Sequence, residues 1–97
     1  MFVGSAEFSI RIPEAHSLKQ KRAVLRSLTG LIKGKFDCAV AEVGQQDVWQ
    51  RATIGVAVVA ETHFHAERLL REIERHVESH PGSDLIAAVL DVAKPGE

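Results

Sequence analysis

The spacing of apolar residues switches along this chain between a period of two and a period near 3.6, and the order of the switches restricts the fold. Residues 2–12 alternate between apolar and polar side chains, which is typical of a half-buried strand. Pro13 ends this strand. Ser17 and Gln20 then form a capping box, which predicts a helix beginning at Leu18. The apolar stripe of this helix consists of Leu18, Val24, Leu25, Leu28, Leu31 and Ile32.

The next segment has the pattern of two strands joined by a short turn. Residues 36–43 predict the second strand, in which Glu42 breaks the apolar phase and therefore indicates a bulge or an edge position. Residues 44–47, GQQD, form the turn, and residues 49–60 predict the third strand. Because the connection is so short, the two strands are expected to pair as an antiparallel hairpin.

A second helix and a fourth strand complete the pattern. Thr62 caps the helix, and residues 85–92 are apolar at nearly every position, so this strand is expected to be more enclosed than the others. The predicted core positions of the helix are Ala66, Leu69, Leu70, Ile73 and Val77. The order β-α-β-β-α-β predicts an α+β fold, the ferredoxin-like split βαβ sandwich, in which two helices cover one face of a four-stranded antiparallel sheet. Residues 1–97 are expected to form this as a single domain.

Length and cysteine content exclude several classes of protein. A chain of 97 residues can bury one core but not a deep enclosed cavity as well. Cys38 is the only cysteine, so no internal disulfide is expected and a reducing compartment is favoured. The sequence has no signal-like start and no apolar run approaching about 18 residues. These features predict a cytoplasmic protein with no membrane association.

The net charge of −1 conceals a strong asymmetry along the chain. Residues 11–35 carry seven cations and the single anion Glu14, whereas residues 36–97 carry five cations and eleven anions. One basic element in an otherwise acidic chain is more informative about function than a uniformly neutral chain, and the overall net charge does not reveal it. The first helix holds most of that positive charge.

Four cations of the first helix share one side of it. At 100° per residue they fall within a wedge of about 60° beside the apolar stripe. They are Lys19, Arg22, Arg26 and Lys33. The helix dipole disfavours cations in the first turn and favours an anion there. This placement is consistent with a phosphate-binding surface, and the alternative is a solvated face that only keeps the chain soluble.

Lys21 points into the apolar sector of the same helix at its first turn. Its ammonium must therefore pass the end of the sheet or reach a buried acceptor, for which Glu14 and Asp47 are the candidates. Lys21 and Arg51 are predicted to assist the phosphate contacts near the helix start and the hairpin. The complete set of predicted nucleic-acid-binding residues is Lys19, Lys21, Arg22, Arg26, Lys33 and Arg51.

The sheet face away from the helices is expected to carry small or acidic residues. They are Ser5, Glu7, Ser9, Ala39, Ala41, Gly55 and Ala57. Stacking of bases on sheet aromatics, as in RNA-recognition domains, is therefore disfavoured, and the face better suits another protein or a second copy. Trp49, at the mouth of the hairpin, is a candidate partner contact, although packing back over its own core is favoured on its size and apolarity.

Residues that commonly carry catalysis or bind metals do not form a recognised pattern. His76 and His80 have the spacing of two ligands on a helix but lack an evident third, so no metal site is predicted. No phosphate loop or dinucleotide fingerprint is present, so no cofactor, no small-molecule substrate and no catalytic residue are predicted. A small hydrolase built around Glu14, His16 and Asp47 is a weaker alternative.

Two blocks of sequence closely resemble the YlxP-like family of small bacterial proteins, a domain-of-unknown-function group. These blocks are IPEAHSLKQKRAVLRSL and AEVGQQDVWQRATIGVAVV. The chain has Gln20 where the family often has glutamate, and Gln45 where relatives often have histidine. The resemblance implies a ferredoxin-like fold and no known activity, and gene neighbourhood in the family implies an association with RNA or the ribosome.

The sequence thus leads to one functional expectation and one alternative. The expectation is a non-catalytic, RNA- or ribosome-associated binding protein that uses its basic first helix. The alternative is a homodimeric protein-interaction module without a nucleic-acid role, which buries the small-residue sheet face or pairs an edge strand.

Overall fold

The computed structural model of the chain describes residues 1–96 and contains four strands and two helices. Their bounds are β1 Phe2–Arg11, α1 Leu18–Lys35, β2 Ala39–Gly44, β3 Arg51–Ala60, α2 His63–Ser79 and β4 Asp84–Ala93. The strands form one antiparallel sheet in the order β2-β3-β1-β4. The predicted ferredoxin-like arrangement is confirmed.

The core lies between the sheet and the two helices. Even-numbered residues of β1 and β3 face the helices, as the alternation predicted, and Phe8 and Ile54 are completely buried. The helices contribute Leu25, Leu28, Ile32, Leu70, Ile73 and Val77 to the same cluster, and Ala66 is also buried. The odd-numbered residues of β1 and β3 consequently lie on the face of the sheet that no helix covers, which we call the open face.

The start of α1 follows the predicted capping pattern with one difference. The Oγ of Ser17 accepts a hydrogen bond from the backbone N–H of Gln20 at 3.1 Å, as expected for an N-cap serine. The side chain of Gln20 accepts from the backbone N–H of His16 at 2.6 Å, one residue before the N-cap. The cap therefore fixes the connection from β1 as well as the first turn of the helix.

The prediction that the fourth strand is more enclosed than the others is wrong. β4 is an edge strand, and Ile86 and Val89 are exposed. Its near-continuous apolar sequence was interpreted as burial on both faces, but the helices cover only one face of this sheet. The extra apolar residues of β4 therefore lie on the open face or at the rim.

Both edge strands contain an extra residue. Glu42 pairs with Ile54 and Gly44 pairs with Thr53, so Val43 is the unpaired residue of a bulge in β2, which confirms the predicted irregularity. In β4 the pairing partners of Ser9 and Ile10 are Ala87 and Leu85, and Ile86 is the extra residue. Neither helix in the described part of the chain is long and apolar enough to span a membrane.

Candidate nucleic-acid interface

The four cations predicted to share one side of α1 are all exposed. They are Lys19, Arg22, Arg26 and Lys33, and we call them the α1 ridge. No ion pair within residues 1–96 involves any of them. The first turn of α1 contains no acidic residue that would offset the helix dipole. The ridge is therefore an uncompensated stripe of positive charge.

The second helix is a useful comparison because most of its charges are paired. Arg71 lies 3.7 Å from Glu67 and 3.9 Å from Glu74, and Arg68 lies 4.0 Å from Glu72. Pairs at these spacings are the ordinary way in which a solvated helix balances its own charge. α1 has no such pairs in the described residues, so the two helices differ in charge organisation and not only in net charge.

A groove of about 310 Å³ runs between α1 and β2. Three of the four ridge residues line it, namely Arg22, Arg26 and Lys33, and Leu25 and Ile54 supply its apolar part. The cations thus border a concave surface beside the edge of the sheet. A concave surface with cations on one wall attracts anions more strongly than a flat one with the same charges.

Lys21 is not available to contact a phosphate, which corrects the prediction from sequence. Its side chain is only 1% exposed, and its Nζ lies 2.9 Å from Oε2 of Glu42. The same ammonium donates a hydrogen bond to the carbonyl of Gln45 at 2.7 Å, and the carbonyl of Gln46 lies at 3.5 Å. Lys21 therefore fastens the first turn of α1 to the β2–β3 hairpin.

The predicted acceptors of Lys21 were wrong, although a buried acceptor does exist. Glu14 and Asp47 are exposed, and neither pairs with Lys21. Glu42 was missed because its break in the apolar phase was attributed to a bulge or an edge position and not to a buried ion pair. In the structure it lies on the helix side of β2, two residues after Val40. Glu42 and Lys21 each stand at a position of their element where the pattern calls for an apolar residue. Two opposite charges at such positions were the available signal that the two residues pair.

Pairing with Lys21 also matters for the groove, since Glu42 lines it. An unpaired carboxylate there would repel an incoming anion. With the ammonium of Lys21 at 2.9 Å, the pair has no net charge when both groups are ionised. Lys21 thus supports the positive potential of the groove without facing it.

Arg51 lies away from the α1 ridge, which is a second correction. It follows the odd-numbered phase of β3 and is exposed on the open face, whereas Ala52 beside it is buried toward the helices. Its direct partner across the sheet is Arg11, whose guanidinium lies 3.3 Å from Asp84. Arg51 itself has no ion pair within residues 1–96. The predicted set therefore divides between two surfaces.

The size and apolarity of Trp49 favoured its packing back over its own core, but Trp49 is 51% exposed in the structure. Its neighbour Gln50 makes the contacts that hold the hairpin, since Nε2 donates to the carbonyls of Pro13 at 3.2 Å and Ala15 at 3.1 Å. The carbonyl of Gln50 also accepts from the N–H of Ile12 at 2.9 Å. The hairpin is thus anchored without Trp49, whose role as a partner contact stays a prediction.

The open face contains a shallow apolar concavity of about 480 Å³. Its lining includes all the residues predicted to face outward on β1, β2 and β3 except Ser9, and also Val43 and Val89. Val43 lies directly over Gly55, because a Cβ at Gly55 would be 2.9 Å from Cγ1 of Val43. No aromatic side chain lines the concavity, so it offers no surface for base stacking.

Other polar side chains in the described residues do not assemble into a reactive centre. Residues 1–96 contain no group of three or more His, Cys, Asp or Glu side chains that could hold a metal ion. Glu14, His16 and Asp47 are all exposed, and no hydrogen bond or ion pair within residues 1–96 joins their side chains. Burial, and to a lesser degree the neighbouring Asp37, raises the pKa of the Cys38 thiol, while Lys33 opposes this effect. A thiol with a raised pKa is a poor nucleophile near neutral pH.

Comparison with known proteins identifies relatives without identifying an activity. The family model described as "Protein of unknown function (DUF503)" matches residues 3–89. The chain is 37% identical over 79 residues to the "Uncharacterized protein YlxP" of Bacillus subtilis (strain 168), an alignment that covers 81% of this chain and 86% of that protein.

Comparison with solved structures supports the fold alone. A C-terminal segment of the alpha subunit of aIF2 from Pyrococcus abyssi is similar with a TM-score of 0.50 and 19% identity, covering 96% of this chain. The chain spans 51% of the length of that segment. A de novo designed protein with a ferredoxin fold, LFR1 1, gives a TM-score of 0.47 at 15% identity, covering 100% of this chain and 88% of the design.

Proposed function

We propose that this chain, which belongs to the DUF503 family of proteins of unknown function, is a non-catalytic protein that binds structured RNA or a ribosomal particle through the α1 ridge. The observation that carries the proposal is the set of four exposed cations along one helix face, none of which is paired within residues 1–96. An unpaired stripe of this kind costs folding energy through self-repulsion and through the helix dipole. Contact with a polyanion would remove that cost.

The spacing of the ridge suits the backbone of a nucleic acid better than a small anion. Arg22 and Arg26 are one turn apart, and Lys33 lies two turns further along the same face. From Lys19 to Lys33 the ridge extends about 21 Å, at 1.5 Å per residue. Contacts spread over that length engage several phosphates. Such contacts position a protein on its partner without reading sequence, so binding is expected to depend on shape and on salt.

The test is a salt series with labelled fragments of ribosomal RNA. In the double variant Arg22→Ala/Arg26→Ala, the slope of log affinity against log salt is expected to decrease in magnitude by about 1.4–1.8, because two phosphate contacts are removed. The matched control is Arg68→Ala/Arg75→Ala on α2, which removes the same charge from exposed positions. The control is expected to keep the wild-type slope.

Two results would overturn the proposal. One is the absence of binding by the wild-type protein at low salt. The other is an equal loss of slope in both double variants, which would show that net charge matters and the α1 ridge does not. Circular dichroism of both variants checks that the fold is retained, as expected for substitutions at exposed helix positions.

A further inference from the structure

We propose that the open face of the sheet is the contact surface between two copies of this chain, packed head to tail so that Arg51 of each copy lies over the acidic part of the other, which contains Glu7 and Asp91. This proposal is independent of the RNA-binding proposal, since α1 lies on the opposite side of the sheet.

The first argument is the apolar character of the open face. Val43 is 50% exposed and Val89 is 67% exposed, and both line the apolar concavity. Between them β2 and β3 present Ala41 and Ala57, whose small side chains allow another sheet to approach closely. A contiguous apolar surface of this kind usually marks an interface.

The second argument is an arginine that lacks a partner. Arg11 and Arg51 are directly opposite each other on β1 and β3, an arrangement of like charges that is unfavourable by itself. Asp84 compensates Arg11 at 3.3 Å, but no carboxylate in residues 1–96 forms an ion pair with Arg51. The guanidinium of Arg51 thus suits an acidic group supplied from outside the chain.

The third argument is that the same face supplies such acidic groups at the right place. Glu7 and Asp91 line the concavity, and neither forms an ion pair within residues 1–96. Glu7 is four residues from Arg11 along β1, or about 13 Å. The open face therefore has a basic end and an acidic middle.

This separation of charge selects one two-fold arrangement over another. If the two-fold axis lies between the two sheets and runs parallel to the strands, the arginines of one copy lie over the arginines of the other. If the axis lies between the sheets but runs perpendicular to the strands, the strands of the two copies point in opposite directions. The basic end of each copy then lies over the acidic part of the other. Only this head-to-tail packing is complementary, and it is isologous, as expected for a symmetric dimer.

The available area limits the size of this interface. Four strands span about 19 Å, and a head-to-tail overlap of about 13–20 Å, which places Arg51 between the rows of Glu7 and Asp91, gives a projected area of about 250–400 Å² for each copy. Allowing for surface relief, the total buried area is about 750–1,200 Å², in the range of weak and transient complexes. We therefore expect a dimer whose dissociation constant is micromolar, populated at high protein concentration.

The experiment is sedimentation velocity from about 1 to 500 μM protein, without RNA, on the wild type and on charge-exchange variants. Glu7→Arg and Arg51→Glu are each expected to raise the dissociation constant at least tenfold, a change that corresponds to about 1.4 kcal/mol. The double variant Glu7→Arg/Arg51→Glu is expected to return it to within threefold of wild type. Glu78→Arg, at an exposed position on α2, is the matched control and is expected to leave it unchanged.

A second variant, Val89→Arg, tests the surface apart from the ion pairs. It places a charge in the apolar part of the open face and is expected to give a monomer at every concentration. Three results would overturn the proposal: a wild-type monomer at 500 μM, a dimer that survives Val89→Arg, or single charge variants that the double variant fails to rescue. Circular dichroism on each variant confirms that only association has changed.

Discussion

At the scale of single residues, Lys21 shows how a charge can be buried at the start of a helix. A lysine at this position opposes the helix dipole and loses its hydration. The structure compensates both effects with one carboxylate and backbone carbonyls, all supplied by the β2 strand and the hairpin that follows it. Gln45 has a φ of 61°, in the left-handed region, and its carbonyl is the closer acceptor. The hydrogen bond from Lys21 thus stabilises a turn whose left-handed backbone conformation is unfavourable for a glutamine.

Removal of this lysine is expected to destabilise the protein strongly. Lys21→Met leaves the half-buried carboxylate of Glu42 and the carbonyl of Gln45 without a donor, at an expected cost of about 2–4 kcal/mol in the free energy of unfolding. The double variant Lys21→Met/Glu42→Gln removes the uncompensated charge and is expected to recover part of that loss. Urea denaturation measures both values, and equal stability of the single and double variants would contradict this account.

The same double variant separates the structural role of Lys21 from direct contact with RNA. Because Lys21 is buried and its pair with Glu42 is neutral overall, Lys21→Met/Glu42→Gln is expected to keep the wild-type salt slope in the RNA-binding series. A loss of slope near 1 would instead show that Lys21 contacts a phosphate. The sequence alone predicted that contact.

His80 gives the protein a pH dependence of known direction. Burial at the end of α2 lowers the pKa of His80 from its usual 6.5, because the charged imidazolium is desolvated. At pH values between the lowered pKa and 6.5, His80 binds a proton in the unfolded chain but not in the folded chain. Its contribution to the free energy of unfolding is therefore complete above pH 6.5 and is lost as the pH falls from 6.5 through the lowered pKa. Urea denaturation from pH 8 to pH 5 should show a smaller decrease for His80→Leu than for wild type.

At the scale of the elements, two glycines test how closely the sheet and the helices pack. A Cβ on Gly4 of β1 would lie 2.9 Å from Val58 Cγ2 and 3.0 Å from Leu70 Cδ1, so this glycine lets α2 approach the sheet. Gly4→Ala is therefore expected to cost about 1–3 kcal/mol through overpacking. Gly30 in α1 has nothing within 4 Å of its Cβ position.

Gly30→Ala is the matched comparison for Gly4→Ala. The same substitution in a helix interior with open space is expected to stabilise the protein by about 0.5–1 kcal/mol. Thermal unfolding of the two variants should thus move in opposite directions. A Gly4→Ala variant as stable as wild type would show that α2 is free to move away from the sheet.

The sequence predicted which elements exist better than it predicted their surroundings. The alternation in β1 and the caps at Ser17 and Thr62 are local patterns, and their outcomes agree with expectation. The exposure of β4 was mispredicted because composition does not reveal which strands lie at the edges. The partner of Lys21 was missed for a related reason, since it depends on the register and bulge of another strand.

At the scale of the whole molecule, the candidate residues divide between two opposite surfaces. The α1 ridge lies on the helix side of the sheet, and Arg51 lies on the open face with Glu7 and Asp91. Helical periodicity is enough to group the ridge from the sequence alone. Arg51 was predicted to assist it because the hairpin was expected to lie near the start of α1, and strand parity across the completed sheet separates them.

This separation makes the two proposals testable in one set of proteins. Arg22→Ala/Arg26→Ala is expected to leave the sedimentation behaviour unchanged, and Arg51→Glu is expected to leave the RNA salt slope unchanged, because each substitution affects one surface only. Both measurements on both variants form the check. A change of RNA slope in Arg51→Glu would show that the two surfaces act together.

The extra residues of the two edge strands have a consequence for how copies of this chain can join. An uninterrupted edge offers a template on which further strands can add without limit, the first step toward fibres. Val43 and Ile86 interrupt the ladder of β2 and β4. Growth by strand addition is thereby hindered at both ends of the sheet, whereas face-to-face pairing uses up its own surface and stops at two copies. The bulges thus hinder open-ended polymerisation at the edges of the sheet and leave the proposed face-to-face pairing as the favoured mode of association.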